Sequence, residues 1–114
     1  VRILARDQRT AIALAVDAKN AYWTTDDGFV RSVPFAGGEV KTLASGQGEL
    51  FGMVLAGTHL YWTSYSQGTI VRMSVDGGAT TTLATGQDRP MRIAADCSDV
   101  YWTNVGGQVM RAAR

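Results

Sequence analysis

Apolar positions in this 114-residue chain fall in short runs broken by turn-forming clusters, and no stretch carries a helical period. Residues 11–17, 50–56 and 90–96 are apolar runs bounded by turn residues, which predicts three buried strands, each here called strand a. A second strand, b, follows each of them and carries the same tripeptide: Tyr22-Trp23-Thr24, Tyr61-Trp62-Thr63 and Tyr101-Trp102-Thr103. Alternation along b sends Tyr and Thr to one face and Trp to the other. Large apolar groups on both faces call for a sheet covered on both sides. Beyond a polar loop, residues 29–33, 70–74 and 109–113 predict a strand c in each copy, with Arg31, Arg72 and Arg111 expected at one register. The pairs Gly37-Gly38 and Gly77-Gly78 suit hairpin turns. They lead to a strand d at residues 40–44 and 79–84, and Gly46-Gln47 and Gly86-Gln87 then lead into the next a.

The tyrosines of the three copies stand 39 and 40 residues apart, so one supersecondary unit has been copied in tandem. Four short antiparallel strands in about 40 residues form the blade of a β-propeller. A single sandwich would not require the same aromatic pair at a fixed register in every hairpin. The expected class is all-β, half of a six-bladed propeller made of three four-stranded blade equivalents.

The units resemble the YWTD β-propeller repeats of the LDL-receptor type, and related repeats of bacterial secreted proteins. The likeness rests on an apolar-Ala-apolar-Asp run, then Tyr-Trp-Thr, a further strand and a glycine turn, and it spans essentially the whole chain. It departs at the residue after the tripeptide, where the family's Asp is replaced by Thr25, Ser64 and Asn104. The Asp closing strand a is kept at Asp17 and Asp96 but is Ala56 in the middle copy. Receptor-type members close with six blades, and the resemblance favours an extracellular or periplasmic setting.

Residues 1–8 align with residues 40–47, so the chain opens on a strand d ahead of the first copy. The boundaries are then 1–8 for that strand, 9–47 for repeat 1, 48–87 for repeat 2, and 88–114 for repeat 3 without a strand d. Rings of about four to eight blades close, and six is the one multiple of three in that window. The expectation is a two-fold homodimer in which residues 1–5 of each chain complete the last blade of the other. The alternative is that the chain is an excerpt of a longer six-bladed polypeptide, which its first residue, Val1, would fit.

Composition narrows the function classes. A net charge of +1 with eleven scattered basic residues offers no stripe for nucleic acid. No apolar stretch has the length of a membrane span, and no signal-peptide pattern is present. The single cysteine, Cys97, excludes an intrachain disulfide. The single histidine, His59, falls in an a–b turn, so a His-rich metal centre is not expected. No cofactor and no catalytic residue is expected. Asp26-Asp27 as a calcium site gives way to two solvated carboxylates.

In a propeller the d–a and b–c connections share one face of the disc. The b–c loops vary most in length here, and variable loops on one face of an array mark its binding side. The candidate ligand-binding residues are Arg9, Asp26, Asp27, Glu49, Tyr65, Gln67, Arg89, Arg92 and Asn104. Arg92 stands where the other copies have Ala13 and Gly52, either contacting ligand or paired with a carboxylate such as Asp88. The three tryptophans are expected to pack between blades, each needing a partner for its indole N–H. Asp17 and Asp96 are expected to accept backbone N–H groups of their turns. The expected function is a non-enzymatic binding or scaffold module for a protein segment or a carbohydrate. The alternatives are a metal-dependent lyase or hydrolase of propeller type, or a structural assembly without ligand.

Overall fold

The computed structural model describes residues 1–114 as eleven strands and no helix. The first sheet is β1 (Ala11–Val16), β2 (Asn20–Thr25), β3 (Val30–Pro34) and β4 (Lys41–Ala44). The second is β5 (Leu50–Ala56), β6 (His59–Ser64), β7 (Thr69–Ser74) and β8 (Thr81–Ala84). The third holds β9 (Pro90–Ala95), β10 (Asp99–Asn104) and β11 (Val109–Ala113). Every neighbouring pair is antiparallel and the order within each sheet follows the chain, the meander of a propeller blade. The expected strands a, b, c and d of the three copies are found, but the strand d expected at residues 1–8 is not, because no strand c stands beside that segment to pair with it.

The two faces of each blade have different partners. Tyr22, Val30 and Ala44 of blade 1 share a core with Met53, Leu60, Trp62, Val71 and Met73 of blade 2. Tyr61 and Ile70 of blade 2 share the next core with Val100 and Trp102 of blade 3. The Trp faces of blades 2 and 3 thus meet the Tyr face of the blade before. Burying a ring of this size removes 150–250 Å² or so from water, and truncating one costs roughly 3–5 kcal/mol. Trp62 and Tyr61, on opposite faces of blade 2, are both fully buried.

The threonine of the tripeptide meets a shared irregularity in blades 1 and 2. Strand a bulges in each blade, where its pairing with b shifts register. Thr24 Oγ1 accepts the freed N–H of Ala13 at 3.2 Å, and Thr63 Oγ1 accepts that of Gly52 at 2.9 Å. Thr63 also donates to the Met91 carbonyl at 2.7 Å, tying blade 2 to blade 3. Gly52 is needed there because a Cβ would stand 2.5 Å from that same carbonyl oxygen.

The aspartates behave as expected of their turns. Asp17 Oδ1 accepts the N–H groups of Lys19 and Asn20, both at 2.8 Å, and Asp96 Oδ1 accepts those of Ser98 and Asp99 at 2.9 and 2.8 Å. Their second oxygens accept the tyrosine hydroxyls of the motif, Tyr22 and Tyr101, each at 2.6 Å. The phenol holds each carboxyl below its ordinary value, Asp96 far below it. In blade 2, where Ala56 replaces the aspartate, Tyr61 receives Arg114 Nε at 3.2 Å instead.

The expected common register of the three arginines does not hold. Arg72 pairs with Tyr61 and Arg111 with Tyr101, but Arg31 pairs with Trp23, so it lies on the opposite face. Ser32 takes the equivalent place in blade 1, opposite Tyr22. A one-residue offset on a strand flips the side chain across the sheet. Arg31 lies over the Phe29 ring, 4.2 Å from its centroid, and reaches Gln8 Oε1 at 3.4 Å.

Candidate functional site

The d–a and b–c loops meet at one end of the blades through backbone hydrogen bonds. Asp26 N reaches Thr10 O at 3.0 Å, Gln47 N reaches Gly28 O at 3.2 Å, and Tyr65 N reaches Glu49 O at 2.7 Å. Gln87 N to Gly68 O at 2.9 Å and Val105 N to Asp88 O at 3.1 Å continue the series. Each of the two d–a loops between blades is thereby laced to the b–c loops on both sides of it. Ser64 at the end of β6 adds to the seam, donating to Gln47 O at 2.6 Å.

On this side β5 packs between β1 and β9, and a cleft of about 340 Å³ opens over the three strands. Its floor is Ile12, Phe51 and Met91, one residue from each blade at the same distance before the tryptophan. Asp26, Glu49 and Tyr65 stand at its rim. Phe51 and Tyr65 stack with centroids 6.2 Å apart and planes 26° apart. The Arg92 guanidinium lies 5.2 Å from the Phe51 centroid, a cation–π contact. Arg9 Nε holds Asp26 at 3.3 Å, and the chain's ion pairs leave Glu49 free. The cleft therefore offers a flat apolar floor, one paired and one unpaired carboxylate, and a cation held on an aromatic face.

Of the nine expected residues, Asp26, Glu49 and Tyr65 line this cleft, and Arg92 and Arg9 flank it through Phe51 and Asp26. Asp27 is turned to Thr25, whose hydroxyl donates to it at 2.5 Å and holds its carboxyl below the ordinary value. Arg89 is paired with Asp88 at 3.0 Å, which raises the guanidinium further. Of the two alternatives for Arg92, the pairing with Asp88 is not made. Gln67 spends its amide on the Gly46 carbonyl at 3.1 Å. Asn104 is buried, its Nδ2 bracing the loops by donating to Gln87 Oε1 at 3.1 Å and Gln108 Oε1 at 3.3 Å, while its Oδ1 has no partner. No group of three or more His, Cys, Asp or Glu stands in an arrangement able to hold a metal ion.

Two contributions went unread in the sequence. Phe51 was hidden inside an apolar strand, where nothing distinguishes a floor residue from a core residue. The glutamines Gln8, Gln47 and Gln87 each stand 15 residues before a tryptophan, a constancy tighter than the 39- and 40-residue repeat itself. Gln8 Oε1 accepts Trp23 Nε1 at 3.2 Å and Gln87 Oε1 accepts Trp102 Nε1 at 3.1 Å. The middle copy differs, because Trp62 Nε1 has no partner.

Three stacked antiparallel meanders with a loop-lined cleft over their innermost strands define a sector of a β-propeller. Solved structures of that architecture share the fold. In a nidogen–laminin complex the match covers 93% of this chain and 45% of that one, at 24% identity and a TM-score of 0.83. In the virginiamycin B lyase of Staphylococcus aureus it covers 95% of this chain and 42% of that one, at 12% identity and a TM-score of 0.73. The chain thus spans less than half the length of these two propellers. The computationally designed Ika4 protein is matched over 97% of this chain and 95% of its own, at 12% identity and a TM-score of 0.59. No family model and no curated protein matches the sequence.

Proposed function

We propose that the chain is a non-enzymatic binding module whose ligand, a segment of another protein, lies across the cleft over Ile12, Phe51 and Met91. The observation that carries this reading is the Phe51–Tyr65 stack with Arg92 on one side and the unpaired Glu49 on the other. A flat apolar floor with opposite charges at its margins suits an extended peptide, whose side chains anchor on the floor while its polar groups meet the rim. A carbohydrate ligand has less support. The broadest aromatic platforms, Trp23, Trp62 and Trp102, are all buried between or beneath blades. Catalysis has no support from the cleft either, where no nucleophile is paired with a base.

The test is selection of a random linear 12-residue peptide library on the immobilised chain, with a glycan array run beside it. Peptides enriched on the wild type should carry a basic residue near an apolar or aromatic one. Their affinity should fall about tenfold or more in Phe51→Ala and Glu49→Gln, as expected of an anchor and a rim contact. Binding that survives both substitutions, or a glycan array that is positive while no peptide is enriched, would overturn the reading.

A further inference from the structure

The outer blades each leave one face uncovered, and the repeat says what would fit it. Val109 in blade 3 occupies the register of Val30 and Ile70, opposite the motif threonine in each case. Val30 and Ile70 are 0% exposed, whereas Val109 is 78% exposed. Leu14 in blade 1 occupies the register of Met53, opposite the motif tryptophan. Met53 is 9% exposed and Leu14 68%. These side chains are not surface residues by type. They are interface residues without their neighbour.

The two bare faces are complementary in kind. Blade 1 presents a Trp face, with a hollow of about 360 Å³ lined by Ala5, Leu14 and Trp23. Blade 3 presents a Tyr face, with a hollow of about 180 Å³ lined by Ala94, Tyr101 and Val109. Within the chain the other two Trp faces, of blades 2 and 3, are each seated on a Tyr face. We infer that the Trp23 face of one copy docks on the Tyr101 face of a second copy, twice over, to close a two-fold ring of six blades. This continues the interface already formed twice within each chain, and six blades lie in the window where rings close.

The leading residues give the contact its register. Ala5, Ala44 and Ala84 each stand 18 residues before a tryptophan, and each packs beside the core on that side. Ala44 and Ala84 belong to a strand d paired with the strand c of the preceding blade, Val30 against Ala44 and Ile70 against Ala84. Ala5 already lies against Trp23 but has no strand c beside it, while β11 has no strand on its outer edge. Carrying over the pairs Ile70–Ala84, Val71–Thr82 and Arg72–Thr81 sets Val109 against Ala5 of the second copy, Met110 against Ile3, and Arg111 against Arg2. Arg111 keeps its ion pair with Asp99, 3.5 Å away, beside the incoming arginine. Ring closure also completes the cleft of the proposed binding site, bringing three further strands a around its rim. The inference stands on the blade faces and does not require a peptide ligand.

Light scattering on the chain should give twice its mass of 12.2 kDa. A monomer, or a larger open assembly, overturns the proposal. In a Cys97→Ser background, Ala5→Cys with Val109→Cys should form an interchain disulfide under mild oxidation, since directly paired antiparallel residues lie within disulfide reach. The shifted pair, Leu4→Cys with Val109→Cys, should link at least tenfold more slowly, because residue 4 points to the other face. Leu14→Asp alters a residue already exposed in the single chain, so it should keep the strand signal in circular dichroism while weakening association more than tenfold. A dimer indifferent to Leu14→Asp, or cross-linked equally by both cysteine pairs, overturns the proposed face and register.

Discussion

Replacing Gln87 by Ala should destabilise the protein by about 2–4 kcal/mol, whereas the same change at Gln47, the matching repeat position, should cost less than about 0.5 kcal/mol. Gln87 Oε1 accepts two donors at 3.1 Å, the indole N–H of Trp102 and the side-chain amide of Asn104. Both donor residues are buried, with 3% and 5% of their surface exposed. Truncation strands the indole and leaves the amide only its longer 3.3 Å contact to Gln108. A buried donor without an acceptor costs roughly 1–3 kcal/mol, and losing the amide's shorter bond adds about 1 kcal/mol, which gives the range above. Gln47 makes the bond from Nε2 to the carbonyl two residues back, as Gln87 does, but accepts nothing from Trp62. Its removal therefore strands no buried group. Denaturant unfolding followed by tryptophan emission would measure both variants, at one fixed protein concentration so that any association cancels. Gln87→Glu is the control, since a carboxylate oxygen still accepts both donors. Equal losses at Gln47 and Gln87, or a loss below about 0.5 kcal/mol at Gln87, would refute the assignment of the glutamine as the indole's partner.

Two further outcomes follow from the blade contacts. Gly52→Ala should destabilise by about 1–3 kcal/mol, because the added methyl meets the Met91 carbonyl oxygen at 2.5 Å and backbone cannot turn aside as a side chain can. A midpoint unchanged in denaturant unfolding would show that blades 2 and 3 are not in such close register. Acid should weaken the fold through Asp17 and Asp96. Both carboxyls are held below their unfolded value of about 3.9, so their stabilisation is complete above that pH and fades as the pH falls toward their folded values. The paired substitution Asp17→Asn with Asp96→Asn should flatten the loss of stability between about pH 5 and pH 2.5. Wild-type and variant curves that stay parallel would contradict the linkage.

The architecture was readable because one tripeptide does three jobs at fixed geometry. In blade 2 Tyr61 faces one neighbour, Trp62 the other, and Thr63 accepts at the bulge, so none of the three can drift without breaking a contact. Position counting from the tryptophan failed for Arg31 because it ignored the hairpin pairing. Trp23 opposes Arg31, while Trp62 and Trp102 oppose Val71 and Met110, so the arginine changes face in blade 1. The site was half readable. Charged and polar loop residues such as Asp26, Glu49 and Tyr65 stand out because loops have no core to serve. Asn104 looked like one of them, yet it is buried and its Nδ2 donates to Gln87 and Gln108. A polar residue at a loop mouth reveals its orientation only when its acceptors are known, and the glutamine spacing was the available clue to them.

The placement of the cleft follows from the same stacking that hides the tryptophans. Its aromatic pair and its free carboxylate, Phe51, Tyr65 and Glu49, all belong to blade 2 or the loop entering it. Blade 2 has both faces packed, with Trp62 on one side and Tyr61 on the other fully buried. Tyr65 follows directly on Ser64, which donates to the Gln47 carbonyl, and its own N–H is held by the Glu49 carbonyl at 2.7 Å. A ligand meeting this centre finds groups already fixed, so little ordering free energy is lost there on binding. Asp26 and Ile12 come from blade 1, and Met91 and Arg92 from blade 3, each of which has a neighbour on one side alone. The aromatic pair and Glu49 are thus held by the most braced blade, and Asp26, Ile12, Met91 and Arg92 by the less braced ones. For the proposed peptide this places the aromatic anchor on the fixed blade and leaves Asp26 and Arg92, on the outer blades, to adjust to it.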